Sequence, residues 1–127
     1  MALPMSKIND LLCRWAANDL PVINFTVNNV LKEIGLDYSF YDEVFSFLMR
    51  KDGYELIAKK MLLCPKKHPG KTFLLKEEVD EEEIFHCWCD EDYYYDPEQT
   101  IVVFCFSESF IKEEQLKKKS RSRCIHI

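Results

Sequence analysis

Two short pairs of cysteine and histidine residues constrain this chain more than any other feature. Three residues separate Cys64 from His68, one separates Cys87 from Cys89, and eighteen lie between the pairs. Structural zinc sites use four thiolate or imidazole ligands in a tetrahedron, usually as two close pairs on separate turns. The first pair lies in a proline- and glycine-containing segment that can curl to bring both side chains together. We therefore expect a structural zinc ion held by these four residues, with His86 as a spare ligand.

Two other interpretations of the cysteines remain open. The three cysteines of these pairs can be ordinary buried thiols, with His68 a solvated loop residue. A catalytic zinc is disfavoured because the sequence has no His-Glu-x-x-His helix and no deaminase signature. Cys105 lies within an apolar segment and Cys13 lies beside small residues of a predicted helix, so we expect both to pack in a core.

The order of predicted elements indicates an α+β fold. Apolar residues recur at helical spacing in three N-terminal segments, and two later apolar segments are rich in β-branched and aromatic residues. The predicted helices are Ser6 to Asp19, a helix capped by Thr26 that ends at Gly35, and Ser39 to about Lys51; the strands are Ile84 to Trp88 and Thr100 to Phe106. Three helices followed by strand, loop and strand are typical of a winged helix-turn-helix, with the wing drawn from Leu56 to Leu75.

This pattern divides the chain into three parts. Residues 1–63 form a winged-helix-like body, and residues 64–111 form a small β module that grows out of the wing and packs on the body. Residues 112–127 are highly charged and lack an apolar face, so we expect a flexible tail.

The charge balance bears on the partners of the chain. There are 17 basic and 22 acidic residues, which give a net charge of −5 and make a general nucleic-acid coat unfavourable. The third predicted helix, which reads bases in DNA-binding winged helices, carries Asp42 and Glu43 in its first turns and no cation there. Contact with a nucleic-acid backbone remains open for four lysines near the wing, Lys59, Lys60, Lys66 and Lys67.

Aromatic residues suggest a surface for a protein partner. Tyr41 and Phe47 lie off the apolar stripe of the third helix, and Tyr93, Tyr94 and Tyr95 are flanked by acidic residues. Tyrosines in such settings form adhesive, partly polar patches. The alternative for the helix is a wide core face, and for the tyrosines it is packing of alternate rings on the β module.

The order of features resembles a type of small bacterial protein, a winged helix whose wing runs into a degenerate zinc ribbon and then a closing apolar strand. Such modules are accessory or adaptor parts of anti-phage conflict systems, beside a larger NTPase or effector. The likeness covers most of residues 6–111 and is carried by the third helix, Leu62-Leu63-Cys64-Pro65, His68, Cys87-Trp88-Cys89, and Asp96-Pro97 before Thr100 to Phe106. It implies a zinc ion and a protein partner.

The cysteine–histidine pairs and the exposed aromatic residues predict a non-enzymatic adaptor, and the resemblance implies that it serves a bacterial multi-component, antiviral-defence system. A DNA-binding winged-helix regulator and a small metal-dependent hydrolase are the alternatives. No glycine-rich phosphate loop fits three isolated glycines. No apolar run has the length of a membrane span, and the N-terminal segment lacks the layout of a secretory signal, so we expect a cytoplasmic protein.

Overall fold

The computed structural model describes residues 3–18 and 24–125, with the side chains of the last helix described through Lys118. Helices and strands are both present, which confirms the mixed α+β class. The helices are α1 Met5–Ala17, α2 Val27–Ile34, α3 Tyr41–Met49 and α4 Glu108–Ile125; the strands are β1 Leu56–Leu63, β2 Pro69–Leu74, β3 Phe85–His86, β4 Asp92–Tyr93 and β5 Thr100–Phe106. One sheet has the order β2-β1-β5, and β3 pairs with β4 in a second sheet.

Local capping sets the ends of α2. The Thr26 hydroxyl accepts a hydrogen bond from the N–H of Asn29 at 3.3 Å, and the Asn29 side chain accepts one from the N–H of Thr26 at 2.8 Å. This reciprocal arrangement satisfies two backbone donors that have no partner within the helix. Gly35 ends the helix with a φ of 78°, a conformation that glycine adopts without a steric penalty. The predicted start and end of the second helix are confirmed.

The chain divides into two compact units, and the boundaries differ from the predicted ones. The first unit is Met1–Ile57 with Phe104–Ile127, and the second is Ala58–Val103. Phe104 belongs with the helices because its backbone exchanges hydrogen bonds of 2.8 and 2.9 Å with Phe25. Both β1 and β5 begin in one unit and end in the other, so no composition change marks either boundary.

The C-terminal segment also differs from its prediction, because α4 continues where a flexible tail is expected. The helix packs against α1, and Glu114 is buried at that contact with 8% of its surface exposed. Its carboxylate accepts hydrogen bonds from the Cys13 thiol at 3.6 Å and from the Lys117 ammonium at 3.3 Å. An apolar pattern search misses this contact because the buried residue is a glutamate. Residues 126 and 127 of the predicted tail lie outside the described residues.

The helical unit holds the larger core. In α1 the buried side chains are Ile8, Leu11, Leu12 and Ala16, which share one helical face as their spacing predicts. Among helices whose residues the structure describes, none is long and apolar enough to cross a lipid bilayer.

The second unit is built around an antiparallel hairpin of β1 and β2, in the segment predicted as the wing. The pairing becomes irregular between Met61 and Leu63, opposite Gly70. A Cβ atom on Gly70 would lie 2.5 Å from the carbonyl oxygen of Leu62 and 2.6 Å from the hydroxyl of Tyr93. Glycine is therefore required for this close approach, which positions the end of the hairpin that carries Cys64.

Candidate metal centre

The first cysteine–histidine pair lies on the tight turn between β1 and β2. The N–H of Cys64 donates to the carbonyl of His68 at 3.1 Å, and the N–H of Lys67 donates to the carbonyl of Cys64 at 2.8 Å. Lys67 has a φ of 67°. These features define a three-residue hairpin loop whose last residue is left-handed. The loop brings the two side chains together, with Cys64 Sγ 3.4 Å from His68 Nδ1.

The second pair lies on a turn with the same backbone pattern. The N–H of Cys87 donates to the carbonyl of Glu91 at 2.9 Å, and the N–H of Asp90 donates to the carbonyl of Cys87 at 3.0 Å. Asp90 has a φ of 70°, equivalent to that of Lys67 in the first turn. Here the two candidate ligands, Cys87 and Cys89, are the first and third residues of the turn, whereas Cys64 and His68 are the first and fifth residues of the other turn. The one-residue gap before Cys89 is thus accommodated by a regular turn.

The two turns bring four ligand atoms together. The sulfur atoms of Cys64, Cys87 and Cys89 and a ring nitrogen of His68 all lie within 4.8 Å of one another. Cys64 Sγ is 3.9 Å from Cys89 Sγ, and Cys87 Sγ is 3.6 Å from His68 Nδ1. The metal–ligand distances of tetrahedral zinc sites place two sulfurs about 3.8 Å apart, and a sulfur and a nitrogen about 3.6 Å apart. The cluster therefore has the dimensions needed to hold a metal ion.

Burial and hydrogen bonding act in opposite directions on Cys64. Burial opposes ionisation of its thiol, but backbone N–H groups of His68 and Lys66 and the thiols of Cys87 and Cys89 donate to its sulfur. The donors outweigh the burial, so the pKa of Cys64 lies below its ordinary value. A sulfur surrounded by donors favours the thiolate, which is the form that binds metals.

The neighbouring Cys87 shifts the other way. The backbone N–H of Cys89 donates to its sulfur and lowers its pKa, but burial and the adjacent thiols of Cys89 and Cys64 outweigh this, so the pKa of Cys87 is raised. Tyr93 packs in the same small core, and its pKa is raised by burial and by the negative charge of the three sulfurs. A cation at the centre of the cluster would compensate this crowding of negative charge.

The spare ligand candidate, His86, lies apart from the cluster. Its Nδ1 is 2.6 Å from a carboxylate oxygen of Asp92, its partner across the β3–β4 pair. This hydrogen bond to Asp92 raises the pKa of His86. Side chains alternate along a strand, so His86 and Asp92 share the face opposite Phe85 and Tyr93. The alternation separates His86 from the sulfur of its neighbour Cys87.

Trp88 is a part of the site that residue types alone did not identify. Its ring packs against the imidazole of His68, with the centroids 4.3 Å apart and the planes 30° apart. Yet 76% of the Trp88 residue surface is exposed. The signal in the sequence was its position between two ligand residues, where the backbone is held on both sides.

The aromatic residues predicted to face a partner differ in their accessibility. Tyr93 is buried in the core beside the sulfurs, which corrects its assignment to a partner surface; Tyr94 is 56% exposed. Tyr95 is half-buried and packs edge-on against a core phenylalanine. Tyr93 is the last residue of β4 and pairs with Phe85, whereas Tyr94 and Tyr95 follow the strand. Tyr41 and Phe47 on α3 are both half-buried.

Three of the four lysines considered for nucleic-acid contact have partners within the second unit, and the fourth, Lys59, is half-buried on β1. The partners are the carbonyl of Glu77 at 2.9 Å for Lys60, the carboxylate of Glu91 at 3.7 Å for Lys66 and the side chain of Gln99 at 2.8 Å for Lys67. Lys66 therefore links the first turn to the second.

Cys13 and Cys105, predicted as core residues, are each half-buried.

Comparison of the chain with protein-family models, with curated proteins and with solved structures finds no match. The likeness to winged-helix accessory proteins of anti-phage systems therefore remains a prediction.

Proposed function

We propose that the chain is a non-catalytic adaptor in which a zinc ion, held by Cys64, His68, Cys87 and Cys89, stabilises the unit Ala58–Val103. The observation that carries the proposal is the set of four ligand atoms within 4.8 Å of one another, with separations of 3.4, 3.6 and 3.9 Å for three of the pairs, close to those of a tetrahedral zinc site. Three thiols and one imidazole form a ligand set that structural zinc sites use. When bound, zinc would supply a cross-link between the two turns.

The size of the core supports a structural role for the metal. The buried cluster of the second unit consists of Leu62, Phe73 and Tyr93 together with Cys64 and Cys87, so two of its five members are ligands. A unit with so little apolar burial depends on other cross-links for its stability. Metal binding to such a site contributes directly to the free energy of folding.

The same ligand count argues against the hydrolase alternative. Four protein ligands complete a tetrahedral zinc site, whereas catalytic zinc keeps one position for water or substrate. Cys64 and Cys87 are both buried, which further restricts access to the metal. The adaptor therefore fits the site better than an enzyme does.

The adaptor is also favoured over a DNA-binding regulator. Three helices followed by the β1–β2 hairpin support a winged-helix body, but Asp42 and Glu43 at the start of α3 are exposed and would repel phosphates. Most of the lysines near the hairpin are engaged in contacts of their own. We propose a protein partner, such as a larger subunit of a bacterial multi-component defence system, on the strength of the likeness described above.

Metal analysis tests the zinc site. We expect about one zinc ion per chain in the purified protein and a large loss of zinc in Cys87→Ser. Cys105→Ser is the matched control, because this half-buried cysteine on β5 belongs to no ligand cluster in the described residues. A wild-type protein that contains no zinc after purification in zinc-supplemented medium would contradict the proposal.

A binding assay across salt concentrations tests the regulator alternative. Binding that depends on phosphate contacts weakens steeply as salt rises. We expect no affinity for duplex DNA even at low salt. Strong, salt-sensitive binding that disappears when Lys59 and Lys67 are replaced would support the regulator instead.

A further inference from the structure

The tip of the second metal-binding turn carries an exposed tryptophan in a fixed setting. Trp88 lies between the ligands Cys87 and Cys89, so its backbone is held on both sides by the site. One face of its ring rests on His68, and three quarters of the residue surface is open to solvent. A tryptophan side chain is a large apolar group, and its exposure at a rigid position contributes nothing to the core of the unit.

The surroundings of Trp88 are acidic. Asp90 lies on the same three-residue loop; its side chain is 96% exposed, and one carboxylate oxygen lies 4.0 Å from Nε2 of His86. Asp92 and Glu91 follow, with 66% and 41% of their side chains exposed, and they pair with His86 at 2.6 Å and with Lys66 at 3.7 Å. The whole segment from Glu77 to Glu98 contains eleven carboxylates and no lysine or arginine. An exposed ring and an almost fully exposed carboxylate thus lie two residues apart on one turn, in a segment that carries more acidic than basic groups even after the contacts of Asp90 and Asp92 with His86 and of Glu91 with Lys66 are counted.

We propose that this turn binds an arginine side chain within a basic segment of a partner protein, with the guanidinium stacked on the exposed face of Trp88 and paired with Asp90. The inference rests on the proposed zinc site, because the metal ligands on either side of Trp88 fix the direction of its ring. A planar guanidinium matches both groups, since it stacks on aromatic faces and donates a fork of hydrogen bonds to a carboxylate.

The chemistry of the turn selects among possible partners. A nucleic acid would also stack on an exposed tryptophan, but its phosphates would meet the carboxylates of this segment. A lysine carries the right charge, but its compact, strongly hydrated ammonium lacks the planar match to the ring. An arginine-containing peptide satisfies both the aromatic face and the negative charge.

Peptide titration of the zinc-loaded full chain tests the inference. Trp15→Phe leaves Trp88 as the sole tryptophan, so that its fluorescence reports binding of a twelve-residue peptide of alternating arginine and glycine. Because Trp88→Ala removes this fluorescence signal, binding by Trp88→Ala and Asp90→Asn is measured instead by the fluorescence anisotropy of a labelled peptide. The controls are Tyr54→Ala, which removes an aromatic side chain that is 74% exposed in the helical unit, and Glu98→Gln, which removes the same charge.

We expect Trp88→Ala and Asp90→Asn each to weaken arginine-peptide binding by about fivefold or more, while the two control variants bind as the wild type does. The corresponding lysine peptide is expected to bind more weakly than the arginine peptide. Equal binding by Trp88→Ala and Tyr54→Ala, or preference for a single-stranded oligonucleotide, would overturn the inference.

Measurement of bound zinc distinguishes failure of the arginine-binding proposal from failure of the proposed zinc site. A zinc-loaded wild type that binds the peptide equally well with and without Trp88 overturns the docking surface and leaves the zinc site standing. A wild type without zinc overturns the proposed function itself. Binding that survives removal of zinc by a chelator would overturn the claim that the metal orients the ring.

Discussion

Without zinc, the unit Ala58–Val103 is expected to unfold at a much lower temperature than the helical unit does. The site supplies two of the five buried residues of that unit's core cluster, and it links two turns that lie eighteen residues apart in the sequence. A chelator that strips the metal therefore removes a cross-link and leaves buried thiols crowded together. The unfolded chain has no preformed site, so zinc binding acts almost wholly on the folded state.

The size of the effect follows from mass action. A ligand present at 1,000 times its dissociation constant stabilises the folded state by about 4.1 kcal/mol. The entropy of unfolding is about 2.1 cal/mol/K per residue, so for the 46 residues of Ala58–Val103 each kcal/mol shifts the melting temperature by about 10 °C. Chelation is thus expected to lower the melting temperature of this unit by roughly 40 °C.

Circular dichroism and near-ultraviolet absorption during heating provide the assay, with and without a zinc chelator and with metal content measured in each sample. Cys105→Ser should respond to the chelator as the wild type does, whereas Cys87→Ser should melt early even in excess zinc. If protein shown to be stripped of zinc melts at the same temperature as the loaded protein, the structural role of the metal is refuted.

Three further outcomes follow from individual contacts. Gly70→Ala should destabilise the protein by roughly 1–3 kcal/mol in chemical denaturation, because the new methyl group collides with the carbonyl of Leu62; an unchanged midpoint would contradict that close approach. Thr26→Ala should cost about 1 kcal/mol in the same measurement through loss of the helix cap, and a neutral result would argue against the cap. The Ser39 hydroxyl and N–H donate to Asp37 and hold its pKa below the ordinary value, so this contact stabilises the fold above the unfolded pKa and is lost as the pH falls through the folded one. An NMR titration should show the pKa of Asp37 rising in Ser39→Ala.

Those parts of the fold that depend on neighbours in the sequence were predictable. Thr26 and Gly35 carry the cap and the stop of α2 in their own side chains and backbone preferences. The residues of the candidate metal site were predictable for a related reason, since two close pairs of cysteine and histidine on separate turns are the usual ligand pattern of structural zinc. The predicted strand Thr100 to Phe106 is confirmed by β5, whose β-branched and aromatic run is local information.

Features that depend on distant contacts were not predictable. Glu114 is buried because α4 packs against α1, and nothing near it in the sequence indicates that contact. Tyr93 and Tyr94 carry the same side chain, and only the pairing of β3 with β4 determines which of them is buried. The left-handed residues of the two turns, Lys67 and Asp90, gave no signal either, because this conformation usually selects glycine.

The path of the chain between the two units has a consequence for reloading of the metal. The second unit is an insertion whose ends are held in β1 and β5, which are neighbours in one sheet. If zinc is bound as proposed, its loss turns the segment into a loop anchored at both ends rather than a free chain, provided that the helical unit stays folded. Because its ends are already fixed, such a loop has less conformational entropy to lose when it refolds, as is also true of a loop closed by a disulfide. Rebinding of zinc then requires only that two turns of a tethered loop meet again. Repeated removal and addition of zinc is therefore expected to be reversible without unfolding of the helices.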